Sequence, residues 1–87
     1  MTKLYRICTE NVNKDGVVGL VGETFNGFTV LEGTGHWLGD EEKSLVIEIA
    51  TDESRGALVR GLAARIRELN KQQAVLVQSY TIEATLI

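Results

Sequence analysis

Four stretches of strand character and two of helical period, in the order β-α-β-β-α-β, predict an α+β fold: a four-stranded antiparallel sheet with two helices on one face. Three observations carry this prediction. Lys43–Ala50 alternates strictly, with Leu45, Ile47 and Ile49 on one side and Ser44, Val46 and Glu48 on the other. Asp52–Asn70 sets Leu58, Val59, Leu62, Ile66 and Leu69 on a single helical face. The chain also has no linker, no repeat and no proline to interrupt an element.

Taken in order, Lys3–Glu10 reads as a strand, with Tyr5, Ile7 and Thr9 opposed to Leu4, Arg6 and Cys8. Asn13–Phe25 spaces Val17, Val18, Val21 and Phe25 for a helix behind an Asn13 cap. Gly16, Gly19 and Gly22 each weaken that helix by about 1 kcal/mol relative to alanine. Asn26-Gly27 turns the chain into a strand over Phe28–Gly33. The glycine-rich stretch 33–42 is expected to be a loop leading into the Lys43–Ala50 strand. The second helix starts from a cap at Asp52 or Ser54, and Ala74–Ile87 reads as a final strand about twice the usual 5–6 residues.

This is the split-βαβ order of ferredoxin-like folds, in which right-handed crossovers place both helices on the same sheet face. The other face is left bare, with Val46, Val75 or Tyr80 on it according to register. A bare face and an overlong last strand together predict a homo-oligomer, and a trimer encloses such a face most simply.

At 87 residues the chain is expected to form one domain, 1–87. A domain of this size buries only about 60–65% of the surface its unfolded chain exposes, so self-association has a stabilising role to fill. Cys8 is the only cysteine and His36 the only histidine, which excludes an internal disulfide and leaves a zinc site without ligands. A net charge of −3, with arginines interleaved with Glu53 and Glu68, argues against a nucleic-acid partner. No apolar run approaches the roughly 20 residues of a membrane span, and the N-terminus lacks a signal-peptide core, so a cytoplasmic protein is expected.

The chemistry-bearing residues cluster in GTGHWLGDEEKS, residues 33–44. No Ser/His/Asp arrangement is present, and Gly33-Thr34-Gly35 has neither the Gly-Lys-Ser/Thr ending of a phosphate loop nor a following helix. Trp37 offers a face for a planar base or a cation, with His36 beside it. Glu41 and Glu42 precede a strand that would hold Glu42 rigidly, a position suited to gripping an ammonium group. Gln72 and Gln73, between the second helix and the last strand, carry donors and acceptors able to read a polar edge.

GFTVLEGTGHW (27–37), EEKSLVIEI (41–49) and NKQQAVLVQ (70–78) resemble, in order and placement, the small phage-encoded S-adenosylmethionine lyases, once described as hydrolases. The resemblance covers about residues 25–80. It implies a PII-like trimeric fold, and a reaction splitting S-adenosylmethionine into methylthioadenosine and homoserine lactone without metal or cofactor. It implies Glu42 as the essential catalytic glutamate, Gln72 and Gln73 as substrate contacts from an adjacent subunit, and Gly33, Thr34, Gly35, His36, Trp37 and Glu41 as the substrate loop. A phage-encoded enzyme of this kind would act in the host cytosol against methylation and restriction. Trp37 stands where family members can place a tyrosine, so a phenol would have to come from Tyr80, or its role pass to His36. The alternative expectation is a PII-like sensor that holds an adenine nucleotide without turnover. A sensor for anionic nucleotides would be expected to bring Lys or Arg, rather than three acids, to its binding loop.

Overall fold

The computed structural model describes residues 1–87. Its elements are β1 (Thr2–Glu10), α1 (Lys14–Thr24), β2 (Thr29–Trp37), β3 (Asp40–Asp52), a short 3-10 turn over Glu53–Arg55, α2 (Gly56–Asn70) and β4 (Leu76–Thr81). The strands form one antiparallel sheet in the order β2-β3-β1-β4, with both helices packed on one face. The α+β, ferredoxin-like prediction holds.

The alternation seen in the sequence decides which residues meet the helices. Tyr5, Ile7 and Thr9 of β1 and Leu45, Ile47 and Ile49 of β3 are buried against Val17, Val21 and Phe25 of α1 and Val59, Leu62, Ala63 and Ile66 of α2. Ile7, Ile47, Val17 and Ile66 are wholly shielded from water. Each such side chain stabilises the fold by about 1.5–3 kcal/mol relative to leaving it exposed. The helical stripes shift slightly from expectation: Val18 is half-buried, Leu58 and Leu69 are exposed, and Ala63 takes the inner position.

Capping accounts for the helix limits. Asn13 caps α1, its Oδ1 accepting from Gly16 N at 3.1 Å. Asp52 caps the 3-10 turn through Ser54 N at 2.9 Å, and the regular α-helix begins at Gly56. The Asp52 carboxyl is thereby held down to about 2, first by Ser54 and then by the chain's amino group. At the far end Lys71 adopts a left-handed conformation, φ 55°, and closes a Schellman-type cap. Its N–H donates to Glu68 O and that of Gln72 to Arg67 O.

Two expectations about strand length are corrected. Residues 33–42 form no loop: β2 and β3 pair without a break from Thr29↔Glu48 to Trp37↔Asp40, and Leu38-Gly39 alone makes the turn. Both turn residues have positive φ, 51° and 84°, the two-residue geometry that matches strand twist. At the other end, β4 stops at Thr81, not Ile87. Lys3↔Thr81 is its last pair and Ile82 N adds one bond to Thr2 O, where β1 itself begins. Beyond that point there is no neighbouring strand to bond to.

The register also settles the uncovered face. Leu31, Val46, Cys8 and Leu76 form one cross-strand row, and Ala50, Leu4 and Tyr80 another. Between them runs a polar row of Thr29, Glu48, Arg6 and Gln78. Arg6 Nε stands 3.3 Å from Glu48 Oε2, buried but not aligned for a hydrogen bond. Val46 and Tyr80 therefore lie on the bare face, whereas Val75 packs against the helix-side core. No helix is long and apolar enough to cross a membrane.

Candidate functional site

A cleft of about 510 Å³ opens where the far ends of β1, β2 and β3 meet the α2–β4 junction. That volume lies within the roughly 300–1,000 Å³ of small-molecule sites. Strand period explains who reaches it. Gly33, Gly35 and Trp37 point to the bare face together with their partners Ser44, Glu42 and Asp40, while Thr34 and His36, paired with Lys43 and Glu41, alternate with them, His36 still bordering the cleft. Of the residues singled out in the sequence, Gly35, His36, Trp37, Glu42, Gln72 and Gln73 border the cleft. Gly33, Thr34 and Glu41 do not line it.

Gly35 faces Glu42 directly, and a Cβ there would stand 3.6 Å from Glu42 Cγ and from Ser44 Cβ. The glycine keeps open the strip of sheet beside the carboxylate. Trp37, at the tip, exposes 59% of its surface and forms a free aromatic wall. Cys8, Val46 and Leu76 supply an apolar floor continuous with the bare sheet face.

The unforeseen member is Glu10. It is the last residue of β1, pairs with Ser44, and so shares a face with Glu42 one step along β3. Diagonal neighbours in a sheet lie within reach of long side chains. The Glu42 carboxyl is raised above its ordinary value, first by its contact with Glu10, then by partial burial, with Glu10 and Asp40 adding charge repulsion. The cleft lining includes no Lys or Arg. Strand alternation alone could have located Glu10, because it continues the Leu4, Arg6, Cys8 series onto the bare face.

The two glutamines differ. Gln72 is committed to the protein: its Oε1 accepts from the Thr9 hydroxyl and from Asn70 Nδ2 at 3.0 Å, and its Nε2 donates to Ala74 O at 3.5 Å. Asn70 Nδ2 also reaches Thr9 Oγ1 at 3.2 Å and Glu10 O at 3.4 Å. This network ties the α2 cap to the end of β1 and fixes one wall of the cleft. Gln73 is exposed, and its amide makes no hydrogen bond within the chain. Both lie in the same cleft as Glu42 within a single chain; the expected reach across a subunit boundary is not required to bring them together.

No family model matches the chain, and no curated protein does. Solved structures do share its architecture. A DUF3240-family protein from Shewanella baltica aligns with TM-score 0.76 at 19% identity, over 99% of this chain and 97% of that one. CPII, a nitrogen regulatory PII-like protein from Thiomonas intermedia whose structure holds ADP, AMP and bicarbonate, aligns with TM-score 0.72 at 18% identity, over 99% and 94%. The fold is PII-like. A functionally unknown protein from Pediococcus pentosaceus follows with TM-score 0.68 at 16% identity, over 99% and 96%. At these identities the PII-like resemblance fixes architecture, and the chemistry has to be argued from the cleft.

Proposed function

We propose that this chain is a PII-like ligand-binding protein whose cleft takes an adenosyl compound bearing positive charge, with S-adenosylmethionine as the ligand. The observation that carries the reading is Glu10 standing beside Glu42 in a cleft lined by no lysine or arginine. Carboxylates at that density repel the phosphates of ADP or AMP and attract an ammonium and a sulfonium. Trp37 is placed to stack on the adenine ring, and the adenine nucleotides held by the PII-like structure from Thiomonas support an adenine-sized ligand in this fold.

Turnover is a second reading, favoured by Glu42 standing on a rigid strand and by the motif resemblance to S-adenosylmethionine lyases. The ligand's own carboxylate would attack the carbon next to sulfur. A carbon–oxygen bond forms as the carbon–sulfur bond breaks, and the electron pair leaves on sulfur as methylthioadenosine. Glu42 binds the ammonium and holds the methionine chain folded for attack. Well-oriented intramolecular reactions gain on the order of 7–11 kcal/mol from such positioning.

The uncovered sheet face gives the same reading an assembly. Leu4, Cys8, Leu31, Val46, Leu76 and Tyr80 form an apolar surface broken by the Arg6–Glu48 pair, which fits copies of the same chain meeting in a fixed register, as a homotrimer. Val46→Lys would place an unpaired charge on that surface, and the sedimenting mass should fall to that of the single chain with helix and sheet content intact. An unchanged mass would remove this face from the assembly.

Incubating the purified protein with S-adenosylmethionine and separating products by chromatography tests binding and turnover together. Methylthioadenosine with homoserine lactone establishes the lyase; retained but intact compound leaves a sensor; preferential retention of ADP overturns the charge argument.

A further inference from the structure

We propose that Glu10 is the specificity-determining second carboxylate of this cleft, selecting ligands by positive charge, with Glu42 as its partner. The inference rests on the reading of the cleft as an adenosyl site and deepens it by assigning the charge selection to Glu10.

The geometry starts from the backbone at the end of β1. Asn11 N donates to Lys43 O at 2.9 Å, and Asn70 Nδ2 donates to Glu10 O at 3.4 Å, so Glu10 is held from the β3 side and the α2 side at once. Its side chain leaves the sheet on the bare face, beside Glu42 and above the floor of Cys8 and Val46. Gly35 closes the row beyond Glu42 without a side chain of its own. The charged groups around Glu42 are Glu10 from β1, Asp40, Glu41 and Lys43 on its own strand, and the titratable His36 on β2. Glu41 and Lys43 belong to the opposite surface, His36 borders the cleft beside Trp37, and the α2–β4 junction brings only neutral residues, Gln72 and Gln73 among them.

Two carboxyl groups so placed resist losing both protons in the empty cleft, and contact with Glu10 raises Glu42 accordingly. A bound cation relieves the repulsion between the two carboxylates. Affinity for a cationic ligand is therefore complete above the raised Glu42 value and weakens as pH falls through it. A neutral ligand of the same adenosyl shape has no such dependence. Without Glu10 the midpoint moves down, burial and Asp40 still acting on Glu42, and the pull on positive charge weakens at neutral pH.

Two probes separate charge from shape: sinefungin, an uncleavable adenosyl amine, and methylthioadenosine, which has the adenosyl thioether without an ammonium. Calorimetric titration of the wild-type chain and of Glu10→Gln, between pH 4.5 and 8, should show three effects. Sinefungin binds the variant roughly tenfold more weakly at pH 7.5, as expected for one charged contact. Methylthioadenosine binds both proteins alike. The pH midpoint for sinefungin is lower in the variant. Glu10→Asp, which keeps the charge on a shorter arm, should recover part of the selectivity and guards against a trivial loss of fold. If both probes bind and Glu10→Gln changes neither, or weakens both equally, Glu10 has no selective role although the adenosyl site stands. If neither probe binds the wild-type chain, the adenosyl reading falls and this inference with it.

Discussion

Gln72 and Gln73 are neighbours of the same type, yet only Gln72 is hydrogen-bonded within the chain, and exchanging each for alanine should separate their roles. Gln72→Ala removes the acceptor that the Thr9 hydroxyl and Asn70 Nδ2 share. Thr9 retains only 4% of its surface, so its hydroxyl cannot turn to water, although Asn70 Nδ2 can still donate to it at 3.2 Å. One buried polar group then lacks a partner, at a cost of about 1–2 kcal/mol after allowance for the half-exposed glutamine. For a domain of this size that lowers the melting temperature by about 4–16 °C. Gln73→Ala touches no such network and should melt within about 0.5 kcal/mol of wild type while weakening ligand binding. Thermal unfolding by circular dichroism, at one protein concentration because assembly shifts the midpoint, reads both. Adding Thr9→Val to Gln72→Ala should cost less than the sum of the single changes, since the unpaired hydroxyl is then gone. A Gln72→Ala protein that melts with wild type, or a Gln73→Ala protein that melts well below it, would refute the assignment.

Other elements yield predictions of the same kind. A Cβ at Gly56 would lie 2.7 Å from Tyr5 Oη and 3.2 Å from Arg60 Nη1, so Gly56→Ala should destabilise by about 1–3 kcal/mol in urea unfolding despite the better helix former. Leu38 holds a left-handed conformation that costs a leucine about 1 kcal/mol, so Leu38→Asn, giving the favoured Asn-Gly turn, should raise the urea midpoint by a corresponding amount. Unchanged stability would contradict the turn geometry. The Asp52 carboxyl titrates at about 2, below its unfolded value, so its contribution is full above pH 4 and is lost as pH falls through 2. Carboxyl-carbon NMR should find that midpoint in the wild-type chain, and Ser54→Ala, which still offers the backbone N–H, should raise it partway. A midpoint near 4 in both would exclude the cap.

Much of the architecture was legible because burial enforces period. Leu45, Ile47 and Ile49 could not all reach the helices unless 43–50 were a strand, and Val59, Leu62 and Ile66 could not unless 56–70 were a helix. What escaped were features set by pairing. Gly33 and Gly35 suggest a loop by composition, yet an antiparallel ladder tolerates them once Ser44 and Glu42 stand opposite, and Leu38-Gly39 is not a dipeptide that announces a tight hairpin. Ile82–Ile87 has strand composition, but a strand needs a neighbour, and β1 ends its pairing at Lys3. The candidate site divides along the same line. Glu42 and Trp37 stood out as local motifs; Glu10 lies 32 positions from Glu42 in sequence and joins it only through the β1–β3 register. Gln72 was legible as polar, but its partners Thr9 and Asn70 were not, because hydrogen bonds between distant elements leave no local pattern.

The Glu10–Glu42 cleft is proposed to bind a positively charged adenosyl compound. Amide NMR shifts on titration with S-adenosylmethionine, against ADP as the anionic control, test it most directly. Shifts should concentrate at Glu10, Gly35–Trp37, Glu42 and Gln73 with S-adenosylmethionine and be far weaker with ADP. Shifts confined to another surface, such as the Arg60–Arg67 face of α2, or a stronger response to ADP at the cleft, would contradict it.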